Sequence, residues 1–334
     1  VKYIIRHNFR ELIFAGGLNY YVTNFFKKLH NELTEKYPEH DFEIKLDDKY
    51  EPNGNGGIYS CMNFSIINPD NNKYILISFW DDWKYHFHKH MGWEPSKMQA
   101  FYYCGSFNFV DYFNFKMSHN GNQDTEFPEN INDVYKSFYY GPYFDSHYDE
   151  LDSIYNERKN NKNLINEIKF RGFMWDHRLK MIENLKSDDI IIIDKNKNDQ
   201  SMEYLEFLKE LSGYKCTLSL PGNTNICNRD IECFAIGVPV LRPSFDNKLS
   251  DDPLHSDYHY LSFYHAPKYW DGNCWYLSYN DFKEHLVYYW EKVKNNDELL
   301  DFISENAYKW YKKNSSADYN IKYILSSLTL DVLN

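Results

Sequence analysis

The stretch Leu218–Pro243, LSLPGNTNICNRDIECFAIGVPVLRP, holds the residue types best arranged for chemistry. Apolar strand residues run into Pro221-Gly222, a small polar loop follows (Asn223, Thr224, Asn225), and a helix begins near Asn228. A helix N-terminus at the carboxyl end of a parallel strand leaves backbone N–H groups unpaired, and these, with the helix dipole, favour phosphate. Arg229, in the first turn, adds a charged planar fork that can grip such an anion at two points. Glu232, one turn on, lies on the same side and is placed to bind a sugar or ribose hydroxyl. The competing reading is an ordinary surface ion pair, since helical residues three apart are neighbours.

Two other constellations carry titratable groups. In ILISFWDDW, Asp81 and Asp82 stand between Trp80 and Trp83. A carboxylate beside such rings has a raised pKa and can take a proton from a hydroxyl; a helix cap or solvated turn is the competing role. The two acids are adjacent rather than alternate, which argues against a DxD-type metal clamp on a diphosphate. His86, His88 and His90 alternate, so on a strand they would face one side, a geometry open to a metal. Acidic partners at matching spacing are missing and Lys89 interrupts the run, which favours ligand-side or surface histidines.

Positioning these groups takes an alternation of strands and helices. From Glu167 onward the order is strand (Glu167–Phe170), helix (Asp176–Leu185), strand (Ile190–Asp194) and helix (Met202–Leu211), then strand (Tyr214–Leu220), helix (Arg229–Ile236) and strand (Pro239–Leu241). Short turns between them specify a parallel, doubly wound sheet. Three amphipathic helices follow: Asp281–Lys294, Glu298–Tyr311 and Tyr319–Leu333. In the first half, Leu18, Tyr21, Val22, Phe25, Phe26, Leu29 and Leu33 mark one helix face after Gly16-Gly17, ending before Pro38. Strands are expected over Tyr3–Ile5, Asp41–Leu46, Ser60–Ile67, Tyr74–Phe79 and Gln99–Tyr103; residues 108–148 are aperiodic. The charged segment Asp149–Asn163 marks the boundary, so the expected division is 1–155, 156–315 and a C-terminal helix, 316–334, packing back on the first domain.

Composition limits what such a chain can be. At 334 residues, two domains are the default, and 19% aromatic with 43% hydrophobic residues excludes bulk disorder. The formal charge of −12, without a basic stripe, argues against a nucleic-acid partner. No apolar run reaches the ~20 residues of a membrane span. The six cysteines are scattered with no CxxC pair, as in free thiols of a reducing, cytoplasmic compartment. The chain opens on Val1 rather than Met, which leaves a trimmed signal or anchor open.

The segment 218–243 resembles the donor-binding segment of GT-B glycosyltransferases, in particular the exostosin-like and protein O-glucosyltransferase (capsule-associated) families. There a glycine-containing loop leads to an Arg, and a Gly follows eight residues later before a Val-rich strand; Arg229 and Gly237 reproduce that spacing, and Glu232 stands at the exostosin-like Glu. Upstream, IKFRGFMWDHRLKMIENL is similar to the strand-Arg-Gly segment of the O-glucosyltransferases, supplying Arg171, Gly172 and Arg178. The tail ISENAYKWYKK is similar to their penultimate helix. Gly16-Gly17 resembles the N-terminal glycine loop of GT-B enzymes, and Asp81 matches the position of the O-glucosyltransferase catalytic Asp, with Asp82 the second choice.

The resemblance implies two Rossmann-like α/β domains facing a cleft, with a helical tail. It implies a hexosyl- or pentosyltransferase moving sugar from a nucleotide-sugar, UDP-sugar first, to a glycan or protein hydroxyl. Arg171, Gly172, Arg178, Gly222, Asn223, Thr224, Asn225, Asn228, Arg229 and Glu232 would bind the donor, and Gly16, Gly17, Trp80 and Trp83 would lie on the acceptor side. No cofactor or metal is implied, because arginines and a helix dipole can carry the leaving charge. Inversion follows from Thr224, which stands eight before Glu232 where many retaining enzymes have a second Glu. An inactive carbohydrate-binding scaffold and a metal-dependent GT-A-like enzyme are the alternatives.

Overall fold

A computed structural model of the chain describes residues 1–7, 18–46, 63–78, 94–104, 135–139, 147–172, 174, 176–183, 185, 187–194, 202–220, 228–244, 252–265 and 279–334. They form two compact units: residues up to 104, with 135–139 and 316–334, make the first, and 147–315 the second. In chain order the first half contains β1 (Lys2–His7), α1 (Leu18–Lys36), β2 (Asp41–Leu46), β3 (Asn63–Ile67), β4 (Tyr74–Ser78), β5 (Met98–Cys104) and β6 (Tyr135–Phe138). There follow α2 (Tyr148–Asn160), β7 (Ile165–Gly172), α3 (Asp176–Ile182), β8 (Ile190–Asp194), α4 (Tyr204–Ser212) and β9 (Tyr214–Leu218). The rest is α5 (Asn228–Ala235), β10 (Val240–Ser244), β11 (Leu261–His265), α6 (Tyr279–Val293), α7 (Asp297–Asn314) and α8 (Ala317–Ser327). Among these residues no helix is long and apolar enough to cross a membrane.

The mixed α/β class anticipated from the strand–helix alternation is what forms. The first sheet has the order β2-β1-β3-β4-β5-β6. Strand β3 runs antiparallel to both β1 and β4, and every other pairing is parallel. The cause is local: Asn68 to Asn72 is too short for the crossover a parallel pair needs, so β3 turns straight back as a hairpin. Asn72 takes the left-handed backbone (φ 59°) that Asn tolerates. Apolar positions of α1 (Phe25, Phe26, Leu29, Leu33) pack with Tyr3, Ile5 and the α8 residues Ala317, Ile321 and Ile324 into one core. The helix expected over Tyr319–Leu333 stops at Ser327, where Lys36 donates to the Leu325 carbonyl and Tyr37 to that of Leu328; a 3-10 turn, Leu330–Leu333, follows.

The second sheet is wholly parallel, in the order β11-β10-β9-β7-β8. The charged segment expected as a boundary is instead helix α2, inside the second unit, so a division at 155/156 would cut it. Most of its charged residues face solvent, while Leu151, Ile154, Tyr155 and the charged Arg158 are buried at helical spacing. Arg158 acts as a staple. Its Nε donates to the Gly237 carbonyl (2.8 Å), and its terminal nitrogens to the carbonyls of Ser212, Tyr214 and Lys215. Burial lowers its pKa to about 10, which still leaves it charged at neutral pH. Gly237 ends the α5 turn at φ 65°, and a Cβ there would meet the Tyr155 ring at 2.5 Å.

Candidate functional site

Strand order decides where this unit can bind a ligand. Strand β7 connects outward to β8 on one side and β9 to β10 on the other, so the loops after β7 and β9 diverge. In open α/β sheets ligands bind at such a switch point, outside the carboxyl ends of the strands. Gly172 ends β7 there, and a side chain at this position would press on the Phe170 ring, 3.0 Å from an added Cβ. Arg178, near the start of α3, donates through Nη2 to the Leu220 carbonyl (3.2 Å), tying the segment after β7 to the end of β9. Its guanidinium sits over Phe170, 5.9 Å from the ring centre.

Helix α5 starts at Asn228, just after β9, with its N–H groups at this same edge. Asp230 is wholly buried in its first turn and bonds Arg242 of β10. A carboxylate at a helix N-terminus is stabilised by the dipole, and the pair pins the turn to the sheet. The expected pairing of Arg229 with Glu232 forms, Nε to Oε2 at 3.2 Å, yet it is no surface pair: the side chains are 17% and 12% exposed. The Arg229 guanidinium lies 4.5 Å from the ring centre of Phe207 on α4. Its Nη1 is buried and has no hydrogen-bond partner among the described residues.

Arg171, expected to bind the donor, has a carboxylate partner within the fold. It is 5% exposed, and its Nη1 meets Glu210 Oε2 of α4 at 3.1 Å. Lys169, one pleat earlier on the same face, takes the other Glu210 oxygen and reaches the Tyr214 hydroxyl at 3.1 Å. The carboxylate of Glu210 thus draws Arg171 along α4. Phe170, of opposite alternation, faces α3, which sets Arg178 and Arg171 on opposite sides of the strand. Arg171 and Arg229 share helix α4 instead.

The buried thiols have no chemistry to offer here. Cys216 is pushed up to about 12 by burial, and Cys233 is raised for the same reason. Asp81, Asp82, Trp80, Trp83, Gly16, Gly17, Gly222, Asn223, Thr224 and Asn225 lie outside the described residues, as do His86, His88 and His90. Sequence reasoning missed Phe207, Glu210 and the Asp230–Arg242 pair. Only the last left a trace: a charged residue in the apolar strand run VPVLRP demands a buried counter-charge.

No family model and no curated protein matches the sequence. Solved structures similar to the whole or most of the chain include three glycosyltransferase-fold neighbours. A glycosyltransferase from Rickettsia africae has 12% identity and a TM-score of 0.43, over 100% of this chain and 98% of its own. The pneumococcal O-GlcNAc transferase GtfA, solved with UDP and GlcNAc, has 12% identity and a TM-score of 0.36, over 97% of this chain and 62% of its own. TarM has 13% identity and a TM-score of 0.32, over 81% and 64%.

Proposed function

We propose that the protein is a glycosyltransferase that binds a nucleotide-sugar at the carboxyl edge of the second sheet. One observation carries the reading: at the switch point, the α5 N-terminus stands beside an arginine whose Nη1 is buried without a partner among the described residues. A donor without a partner in a buried place destabilises the fold by about 1–3 kcal/mol. An anion at that edge relieves it and at the same time meets the positive end of the helix.

In the reaction a carboxylate takes the proton of the acceptor hydroxyl, and we assign this to Asp81, with Asp82 second. The oxygen attacks the anomeric carbon while the bond from that carbon to the phosphate oxygen breaks. The electron pair leaves with the nucleoside diphosphate, whose growing negative charge Arg229 and the α5 N–H groups stabilise. With that charge supplied by the protein, we read the transfer as metal-independent. Thr224 in place of a second Glu supports inversion. Gly172 and Arg178 shape the edge at the switch point, and UDP-sugars are the first donors to try. The thiols at Cys104, Cys216 and Cys233, all unbridged, fit a cytoplasmic setting.

Thermal shift against a panel of nucleoside diphosphates and nucleotide-sugars is the test, since a ligand that binds only the folded state raises the Tm. One nucleotide-sugar should stand out and be slowly hydrolysed without acceptor, and the hydrolysis should survive EDTA. Binding without hydrolysis or transfer would indicate a scaffold, and loss with EDTA restored by manganese a metal-dependent enzyme.

A further inference from the structure

Glu232 is placed for a task other than touching the sugar. Its carboxylate accepts from Arg229 Nε at 3.2 Å and is 12% exposed. The same guanidinium sits over Phe207, its Cζ 4.5 Å from the ring centre. Phe207 is itself fixed, at 6% exposure, on an α4 face that buries Leu208 and Leu211. Below, the Asp230–Arg242 pair holds the helical turn from which Arg229 springs. A guanidinium set over a ring and bonded through its Nε to a carboxylate has little freedom left. The opposite edge includes Nη1, which is buried and has no hydrogen-bond partner among the described residues.

We propose that Phe207 and Glu232 are positioning residues that hold the Arg229 guanidinium ready for a diphosphate, and that Glu232 is therefore not a ligand of sugar or ribose hydroxyls. The proposal rests on the donor reading above. An arginine frozen before binding loses less side-chain entropy when the anion arrives, so its contacts count more fully toward affinity. Electrostatics alone predicts the opposite sign. Glu232 subtracts positive charge from the site, so neutralising it would strengthen anion binding if charge were its only contribution.

The experiment uses the full chain and two probes, UDP by calorimetric titration and uridine by saturation-transfer NMR. Positioning predicts that Glu232→Gln and Phe207→Leu each raise the Kd for UDP by about 3- to 10-fold, near the range of one cation–π contact. Uridine binding should stay unchanged in both, and Phe207→Tyr, which keeps the ring, should stay within about twofold of wild type for UDP. A merely structural role would lower the melting temperature and leave the UDP constant of the folded protein where it was, which overturns the proposal. Equal weakening of UDP and uridine in Glu232→Gln would overturn it in favour of a ribose ligand, and tighter UDP binding in favour of simple charge. If Phe207→Leu does not fold, Glu232→Gln decides. Arg229→Ala separates this proposal from the reading beneath it. If that variant loses UDP while the two positioning variants do not, only the positioning role fails. If it binds UDP like wild type, the donor site itself is elsewhere.

Discussion

Helix α4 carries two basic clusters one turn apart, and they are satisfied in different ways. At Glu210, which is 29% exposed, two strand cations share one carboxylate, and Lys169 also reaches the Tyr214 hydroxyl. At Phe207, Arg229 has a ring and one carboxylate, with Nη1 still without a partner among the described residues. The first cluster lies under the helix in the body of the unit. The second lies where α5 begins, at the carboxyl edge. Both arginines have a carboxylate partner, so place is what separates them: Arg229 alone stands at a helix N-terminus, where an incoming anion is favoured.

The comparison breaks most visibly at Glu210. Glu210→Ala leaves Lys169 and Arg171 as buried, mutually repelling charges, and should lower stability by about 3–5 kcal/mol in urea unfolding. The folded remainder should bind UDP as wild type does. A stable Glu210→Ala protein with impaired UDP binding would reverse the assignment of roles.

Arg229→Ala should show the converse. Kinetics on the folded variant should lose about 2–4 kcal/mol of transition-state stabilisation, roughly 30- to 1000-fold in turnover over donor affinity. Its unfolding midpoint should fall less than that of Glu210→Ala, since Glu232 loses its partner but the buried Nη1, without a partner among the described residues, goes as well. Arg229→Lys should recover only part of the activity because the planar fork is gone. Near-normal turnover in Arg229→Ala would merge the two clusters into one structural class.

Gly237→Ala probes the other end of α5. The left-handed backbone and the contact with Tyr155 should together lower stability by about 2 kcal/mol, seen as a lower Tm. UDP affinity should be kept, because the ligand end of the helix is seven residues away in sequence at Asn228 to Asp230. Lost affinity at unchanged Tm would extend the site along the whole helix.

The smallest effect is acid lability away from both clusters. His259 is buried against Trp310 and accepts at Nδ1 from the His255 N–H. Burial, with His255 adding to it, lowers its pKa from 6.5 to about 4. The unfolded chain therefore binds the proton first. The contribution is whole above about pH 6.5 and is lost as the pH falls toward 4, about 1 kcal/mol by pH 5 after allowance for solvent screening. His259→Phe should flatten that slope in pH-dependent melting, while the pH dependence of UDP binding stays as it was. If the slope persists, the acid sensitivity belongs to other groups.

Several elements could be read from the chain because their cause is local. Four- and three-residue steps of apolar residues mark α1, a continuous apolar run marks β8, and the turn at Asn68 to Asn72 marks a hairpin. Others escaped for equally physical reasons. Strand β6 is four residues inside a stretch of aromatic and polar types with no period, and β11 follows a long connection with nothing local to announce it. The charges of α2 imitate a linker, because a helix lying on the protein surface shows solvent that kind of face; its buried apolar stripe is only Leu151, Ile154 and Tyr155.

At the site, the sequence by itself determined that a glycine-led loop runs into a helix carrying Arg229, and that Arg229 and Glu232 fall on one side of it. Helical geometry fixes that neighbourhood within one turn, whatever the rest of the chain does. Only the tertiary structure decided what the arginines do. The order β11-β10-β9-β7-β8 sets β7 beside β9 and puts the switch point at their ends. Helix α4 then brings Glu210 to Arg171 across 39 residues and Phe207 to Arg229 across 22. Contacts at such separations depend on how whole elements pack, and no period or spacing along the chain encodes them.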